Sequence, residues 1–178
     1  MVNIVFESHG TTFDNENHLS SGWNNAKLSP RGEENARDLG QRYQEQNFDA
    51  IFCSDLERSY KTAAIAFGDK FKIIQDPRLR ECNYGDLTQH PSSEVEPEKI
   101  KHIQIPFPNG ESYKQTNSRM REFLEEISKK YDGKKVLLIG HRATQYGLEC
   151  AINGKNLEDL ISTPFVWQPG WTYKLEII

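Results

Sequence analysis

Two short apolar runs, each leading to a histidine, constrain the fold of this chain more than any other feature. The first run covers residues 2–7 and leads to His9 and Gly10, and the second covers residues 135–139 and leads to His141. Apolar runs of this length, bounded by turn signals, are typical of buried strands in a parallel sheet. Open α/β sheets bind their ligands at the carboxyl ends of such strands. The sequence therefore predicts two imidazoles at one sheet edge, with a reacting anion between them.

Composition and charge narrow the class of protein. The chain has 178 residues, a net charge of −4 and a mean hydropathy of −0.74, which favours one globular domain over residues 1–178 and argues against nucleic-acid binding. No stretch approaches the roughly 20 apolar residues of a membrane span, and no signal peptide is visible, so we expect a cytoplasmic protein. Three scattered cysteines predict buried thiols in a reducing compartment and no disulfide framework.

Strand and helix patterns alternate along the chain, which predicts an α/β fold of the three-layer α/β/α sandwich type. The central sheet should be mostly parallel, with five or six strands. Strands are predicted at residues 2–7, 50–53, 71–74, near 135–139 and at 172–177. Helices are predicted from Ser29-Pro30 onward, at 55–67, 112–131, 143–152 and 156–161.

Two segments lack such patterns. Residues 10–28 are rich in Asn, Ser and Gly and are predicted to be a long loop. Residues 84–109 hold four prolines and a cluster of charges, and are predicted to be an irregular, lid-like excursion. Loops of this length inside compact domains are usually lids, binding loops or disordered.

Six motifs follow one another in order along the chain. They are Ser8-His9-Gly10-Thr11-Thr12 with Asn15, Gly22-Trp23 with Leu28-Ser29-Pro30-Arg31-Gly32, Ser54-Asp55-Leu56-Glu57-Arg58-Ser59-Tyr60-Lys61-Thr62, Leu79-Arg80-Glu81-Cys82-Asn83-Tyr84-Gly85, Gly110-Glu111-Ser112 and Gly140-His141-Arg142. Together they resemble the histidine phosphatase superfamily, in its phosphoglycerate mutase-like group, over residues 3–177. The resemblance implies a phosphoglycerate mutase-like fold and phosphoryl-transfer chemistry.

The resemblance implies four catalytic residues: His9 as nucleophile, Glu81 as acid, and Arg58 and His141 as phosphate ligands. Elementary chemistry suits each role. A neutral imidazole can attack phosphorus if one ring nitrogen is free and the other is held as N–H by, for example, a backbone carbonyl. A guanidinium fork matches phosphate oxygens, and a protonated carboxyl can give a proton to the leaving alcohol.

Further residues are expected to bind substrate. These are Ser8, Gly10, Thr11, Asn15, Trp23, Tyr84 and Arg142. Tryptophans such as Trp23 and Trp167 are more often packing residues than substrate contacts, so that alternative stays open for Trp23.

The chain departs from the family pattern before the first histidine, where Ser8 stands in place of an arginine that binds the phosphoryl group. Two interpretations follow. Either the site is degraded and mainly binds phosphate ligands, or the charge has moved to Arg142, where the family usually has a small residue. We favour the second interpretation. An arginine is lost at position 8 and gained at position 142, and both positions lie at the same predicted sheet edge, which suggests compensation.

The sequence thus predicts a phosphomonoesterase, of the histidine acid phosphatase-like type, that hydrolyses a small phosphorylated metabolite through a phosphohistidine on His9. A phosphoglycerate mutase-type transferase and a low-activity phosphate-ligand-binding protein are the alternatives. No metal-ligand spacing stands out, and the chemistry requires no metal or other cofactor. We expect no nucleic acid and no membrane as partners, and a homodimer remains an open alternative. The substrate cannot be named from the sequence.

Overall fold

The strands form one mixed sheet in the computed structural model, which describes residues 1–68 and 70–177. They are β1 (Val2–Ser8), β2 (Ala50–Cys53), β3 (Ile73–Gln75), β4 (Lys135–Gly140) and β5 (Trp171–Leu175). Their order is β3-β2-β4-β1-β5, and β5 is antiparallel to β1 while the other neighbours are parallel. The predicted mostly parallel sheet is confirmed with five strands. The expected domain also includes residues 69 and 178, which lie outside the described residues.

Helices cover both faces of the sheet, which confirms the predicted three layers. They are α1 (Phe13–Glu16), α2 (Pro30–Arg42), α3 (Glu57–Phe67), α4 (Ser92–Glu98), α5 (Tyr113–Lys130), α6 (Arg142–Asn153) and α7 (Leu157–Ser162). On one face, Leu39 of α2 and Ala63 of α3 pack with Leu137 of β4. On the other face, Phe123 of α5 and Leu148 of α6 pack with strand residues and form a second core cluster.

Local sequence signals explain where the two long helices begin. The Ser29 side chain accepts a hydrogen bond from the Gly32 N–H, and Pro30 occupies the first helical position of α2. Ser112 and Gln115 form a capping box at the start of α5. Both starts are those predicted from the sequence.

Two predicted irregular segments are more ordered than expected, and both expectations need correction. Residues 10–28 contain the short helix α1, whose start is a capping box between Thr12 and Asn15. Residues 84–109 contain α4 and two 3-10 turns, and they bury Val95 and Phe107 in a third core cluster. The sequence of this segment shows no clear helical periodicity, because α4 is short and contains Pro97.

Strand register brings the two histidines together. Ser8 is paired with Gly140, so the next residue on each strand, His9 and His141, leaves the sheet at the same edge. The His9 N–H donates to the Gly140 carbonyl at 3.1 Å. Gly10 is needed here because a Cβ at this position would lie 2.4 Å from the Gly32 carbonyl oxygen. Close backbone packing therefore joins the first histidine motif to the start of α2.

Candidate active site

The rings of His9 and His141 face each other at the sheet edge, with their centroids 5.1 Å apart. The Nδ1 atom of His9 lies 2.7 Å from the Gly10 carbonyl oxygen. A carbonyl oxygen only accepts hydrogen bonds, so Nδ1 carries the hydrogen and Nε2 keeps its lone pair. This is the arrangement that a nucleophilic imidazole requires.

Arg58, near the start of α3, lies directly against this lone pair. Its Nε donates to His9 Nε2 at 3.3 Å, and its two terminal nitrogens donate to the carbonyls of Asn24 and Gly22 at 2.9 and 2.8 Å. The residue is 2% exposed, and no carboxylate forms an ion pair with it among the described residues. Glu81 and Asp14 lie near enough to stabilise its charge without a direct ion pair, so an anion bound beside Arg58 would add its first direct charge partner.

The loop that holds Arg58 depends on a glycine. Gly22 has φ +48°, and a Cβ there would meet the side chains of Thr88 and Tyr84 at 3.0 to 3.2 Å. Its carbonyl accepts from Arg58, so the turn at this position aims the guanidinium at His9. The Gly-Trp motif thus supports the site through its backbone.

His141 is 1% exposed and has one occupied ring nitrogen. Its Nε2 lies 2.6 Å from the Ser54 hydroxyl, while its buried Nδ1 has no hydrogen-bond partner among the residues that the structure describes. If Ser54 donates to Nε2, the hydrogen of the neutral ring is on Nδ1, and if Nε2 donates to Ser54, Nδ1 carries the lone pair. Buried polar atoms without partners are uncommon in native proteins.

Both imidazoles are neutral at physiological pH. Burial and the positive charge of Arg58 lower the pKa of His9 to about 3, although the hydrogen bond to Gly10 opposes that shift. Burial, Arg58 and His9 hold the pKa of His141 well below its ordinary value. A neutral His9 is a competent nucleophile over the whole physiological range.

Glu81 approaches the same space from the loop after the 3-10 turn Pro77–Leu79. It is 8% exposed, and its carboxylate oxygens accept from the backbone N–H of Cys82 at 2.7 Å and, weakly, of Ala143 at 3.5 Å. Its carbonyl accepts from the Trp23 indole N–H at 2.7 Å and from Arg119 at 2.8 Å. Hydrogen bonds to its carboxylate and to its backbone carbonyl therefore hold Glu81 in place.

A cavity of about 260 Å³ lies between these groups. Pockets for drug-sized ligands have volumes of about 300–1,000 Å³, so this site suits a smaller ligand. Its lining contains the four expected catalytic residues and four of the expected substrate-binding residues, together with residues that the sequence did not single out. The lining residues are Ser8, His9, Asn15, Leu19, Ser20, Ser21, Arg58, Glu81, Tyr84, Ser92, Glu96, Lys99, His141, Arg142, Phe165 and Trp167.

Three expected substrate-binding residues, Gly10, Thr11 and Trp23, do not line this cavity. Gly10 and Thr11 line a neighbouring cavity that shares Ser8, His9 and Trp167 with it, and all three assignments stay predictions. The Gly10 N–H donates to Thr62 Oγ1, and the N–H and hydroxyl of Thr11 both donate to Asn35 Oδ1. These N–H and O–H groups therefore already donate to side chains of α2 and α3. The Trp23 indole N–H donates to the Glu81 carbonyl and its ring lies 4.5 Å from the Arg80 guanidinium, which are packing contacts of the kind that the open alternative expects.

Arg142 and Ser8 line the same cavity, as the idea of an exchanged arginine requires. The guanidinium of Arg142 donates to the Tyr146 hydroxyl and, at 3.1 Å, to a carboxylate oxygen of Glu96. The ring of Phe165 lies 5.4 Å from its central carbon. The Arg142 side chain thus lies at the cavity wall, where it forms an ion pair with the carboxylate of Glu96.

Sequence reasoning missed Lys99, Glu96 and Trp167 in the lining. Lys99 and Glu96 belong to the excursion of residues 84–109, whose order has no sequence signature. Trp167 was interpreted as a packing residue, yet it is 54% exposed beside His9. These segments contain no recognisable motif. The position of these residues at the cavity depends on contacts between segments that are distant in the sequence.

Comparison with known proteins identifies the family. The family model for the histidine phosphatase superfamily (branch 1) matches residues 4–176. This chain belongs to that superfamily. The matched range covers nearly the whole chain, so the sheet edge with both histidines lies within the family domain.

Named relatives of this superfamily member include both phosphatases and mutases. Phosphoserine phosphatase 1 of Hydrogenobacter thermophilus is 27% identical over 88% of this chain and 79% of its own length. A 2,3-bisphosphoglycerate-dependent phosphoglycerate mutase of Parvibaculum lavamentivorans is 28% identical over 97% of this chain and 90% of its own. The solved structure of YhfR from Bacillus stearothermophilus matches with a TM-score of 0.82 and 27% identity, covering 94% of this chain and 87% of that one.

The described residues contain neither a metal-binding cluster nor a membrane-spanning helix. No group of three or more His, Cys, Asp or Glu side chains in residues 1–68 and 70–177 is arranged to hold a metal ion. Within the same residues, every helix is too short or too polar to cross a membrane.

Proposed function

We propose that this protein is a phosphomonoesterase that hydrolyses a small phosphorylated metabolite through a phosphohistidine on His9. The observation that carries the proposal is the buried Arg58 guanidinium, which lacks an ion pair among the described residues and donates to the unprotonated nitrogen of His9. A phosphate dianion placed there would pair with Arg58 and lie between the rings of His9 and His141. The phosphatases and mutases among the relatives support a phosphorylated substrate.

In the first step, His9 Nε2 attacks phosphorus and the bond from phosphorus to the ester oxygen breaks. The leaving oxygen takes a proton from Glu81, which becomes a carboxylate. In the second step, water attacks the phosphohistidine and gives a proton back to Glu81. The N–P bond breaks, its electrons return to His9, and inorganic phosphate leaves. Arg58 and His141 stabilise the phosphoryl oxygens in both steps.

The acid role of Glu81 predicts a dependence on the leaving group. Glu81→Gln is expected to slow hydrolysis of alkyl phosphates by about 10²- to 10⁴-fold, the usual contribution of a general acid. Aryl phosphates with an acidic phenol should be much less affected, because a phenolate leaves without a proton. The measurement is kcat/KM of the wild type and of Glu81→Gln for alkyl and aryl esters. Equal losses for the two ester types would remove Glu81 from this role.

A protein that only binds phosphate ligands is the second candidate, and Ser8 is the observation that favours it. We infer that Arg142 compensates for Ser8, since both side chains line the cavity beside His9. Arg142→Ala is then expected to lower kcat/KM by at least about 10²-fold, the effect of removing one preorganised donor. The double variant Ser8→Arg, Arg142→Ala should recover part of that loss, and this non-additivity would indicate a shared role.

Arg121→Ala is the matched control for that experiment, because Arg121 is exposed on α5 and pairs with Glu125. It should behave like the wild type. If Arg142→Ala also behaves like the wild type, the exchange of arginines is wrong. A wild-type protein that binds phosphate esters without turnover would favour the binding protein over the enzyme.

A further inference from the structure

The guanidinium of Arg119 binds the backbone of the loop that carries Glu81. Arg119 lies on α5, and its side chain is 15% exposed. One terminal nitrogen donates to the carbonyls of Arg78 and Arg80 at 2.6 and 2.8 Å, and the other donates to the Glu81 carbonyl at 2.8 Å. One side chain thus fixes three carbonyls within a stretch of four residues that ends at the proposed acid.

The remaining donors of Arg119 bind the carboxylate of Glu111. The Arg119 Nε donates to Glu111 Oε1 at 3.0 Å, and a terminal nitrogen donates to Oε2 at 3.0 Å. Glu111 Oε2 also accepts from the backbone N–H of Asn83 at 3.1 Å. The ion pair therefore holds the loop backbone on both sides of the Glu81 side chain.

The loop needs such an anchor because it has no regular secondary structure. Residues 80–84 follow the 3-10 turn Pro77–Leu79 and belong to neither a helix nor a strand. Carbonyls in such a segment lack the partners that a helix or a sheet supplies, so they depend on other donors. A guanidinium offers five N–H donors in a rigid plane, and all five of those of Arg119 are used here.

The Glu81 carboxyl group takes its position from this backbone. Its oxygens accept from the N–H groups of Cys82 at 2.7 Å and of Ala143 at 3.5 Å, and no side chain of the described residues donates to them. The stronger of these two donors belongs to the loop itself. A shift of the loop would therefore move the carboxyl group, and a misplacement of about 1 Å at a reacting group can lower a rate by about 10²-fold.

We propose that Arg119 is a positioning residue, which acts through the loop backbone to hold the Glu81 carboxyl group within reach of the leaving oxygen. This inference rests on the proposed function for the acid role of Glu81. Arg119 does not line the cavity, so it has no contact with substrate there. Its substitution is expected to impair proton transfer to the leaving group and to spare phosphate binding at Arg58.

The dependence on the leaving group tests this role. Arg119→Lys keeps the charge, but one ammonium cannot reach all the acceptors of the fork, so kcat/KM for alkyl phosphates should fall by about 10- to 100-fold. The loss should appear in kcat more than in KM. Aryl phosphates with an acidic phenol should be much less affected, because a phenolate leaves without a proton. In the Glu81→Gln background the same substitution should add little, since the group that it positions is absent.

Arg78→Lys is the matched control. The Arg78 side chain also joins this part of the chain to α5, since it pairs with Asp76 and with Glu126, but it does not bind the backbone at Glu81. Its substitution should leave the ratio of alkyl to aryl hydrolysis unchanged, whatever it does to Tm. Equal losses for both ester types in Arg119→Lys, or an additive loss in the Glu81→Gln background, would overturn the positioning role.

Glu111→Gln is the second variant, and it carries the test if Arg119→Lys does not fold. It keeps the shape of the side chain and removes the charge that holds Arg119. The alkyl to aryl ratio should fall in this variant too, by a smaller factor than in Arg119→Lys. An unchanged ratio in Glu111→Gln, when it is the variant that folds, would overturn the inference.

Crystal structures with inorganic phosphate separate this inference from the proposed function. Whichever of Arg119→Lys and Glu111→Gln folds should show the Glu81 carboxyl group displaced by more than about 0.5 Å, the tolerance of a productive site, while Arg78→Lys should not. A displaced carboxyl group in a protein that hydrolyses no ester would support the positioning and remove the phosphatase. An undisplaced carboxyl group would overturn the positioning and leave the phosphatase to be judged by its turnover.

Discussion

His9→Ala is expected to lower kcat/KM for any phosphate monoester that the protein hydrolyses by at least about 10⁴-fold. Loss of the nucleophile from a preorganised site costs on the order of 10⁶-fold in kcat in a well-studied hydrolase, and the remaining charges retain part of the catalysis. The free Nε2 of His9 is the atom that this variant removes. Steady-state kinetics on one alkyl and one aryl ester would measure the loss.

His90→Ala is the control for a histidine that the mechanism does not use. His90 is on the surface, where its ring lies 3.3 Å from Glu94, and it does not line the cavity. Its substitution should leave kcat/KM unchanged. Activity of His9→Ala within tenfold of the wild type would mean that another group, or water directly, attacks the phosphorus.

Arg58→Met is expected to lower kcat/KM by about 10³-fold or more, the scale for an arginine that stabilises a transferring phosphoryl group. The guanidinium is the buried cation closest to His9 Nε2, and its position is fixed by two backbone carbonyls. Arg58→Lys should recover little of the loss, because an ammonium cannot make the same forked contacts.

Stabilisation by inorganic phosphate provides a second measurement for Arg58. The wild type should show a rise in Tm with phosphate, since a ligand that binds the folded state stabilises it. Arg58→Met should lose that rise while remaining folded, and the exposed control Arg37→Met should keep it. An unchanged response in Arg58→Met would place the phosphate elsewhere.

The sequence predicts the sheet edge well because its signals are local. Apolar runs predict β1 and β4, serine caps predict the starts of α2 and α5, and the parallel pairing of Ser8 with Gly140 then brings the histidines together. The tautomer of His9 follows from the same local geometry, because its partner is the adjacent Gly10.

The substrate side of the cavity could not be predicted, because it depends on contacts between distant segments. Lys99 is buried in the same excursion that packs its Val95 into the third core cluster. Arg142 was predicted at the cavity, but its pairing with Glu96 joins residues 46 positions apart. The role of Trp23 stays a prediction, because a motif does not show which atoms of a residue are used.

Trapping the covalent intermediate tests the central claim most directly. The wild type would be mixed with a radiolabelled activated phosphate ester, quenched within milliseconds in base, digested and mapped. We predict label on His9 that is stable in base and labile in acid, as expected for a phosphorus–nitrogen bond, and no such label in His9→Ala. Acid-stable label on a serine such as Ser8 or Ser54 would contradict the phosphohistidine mechanism.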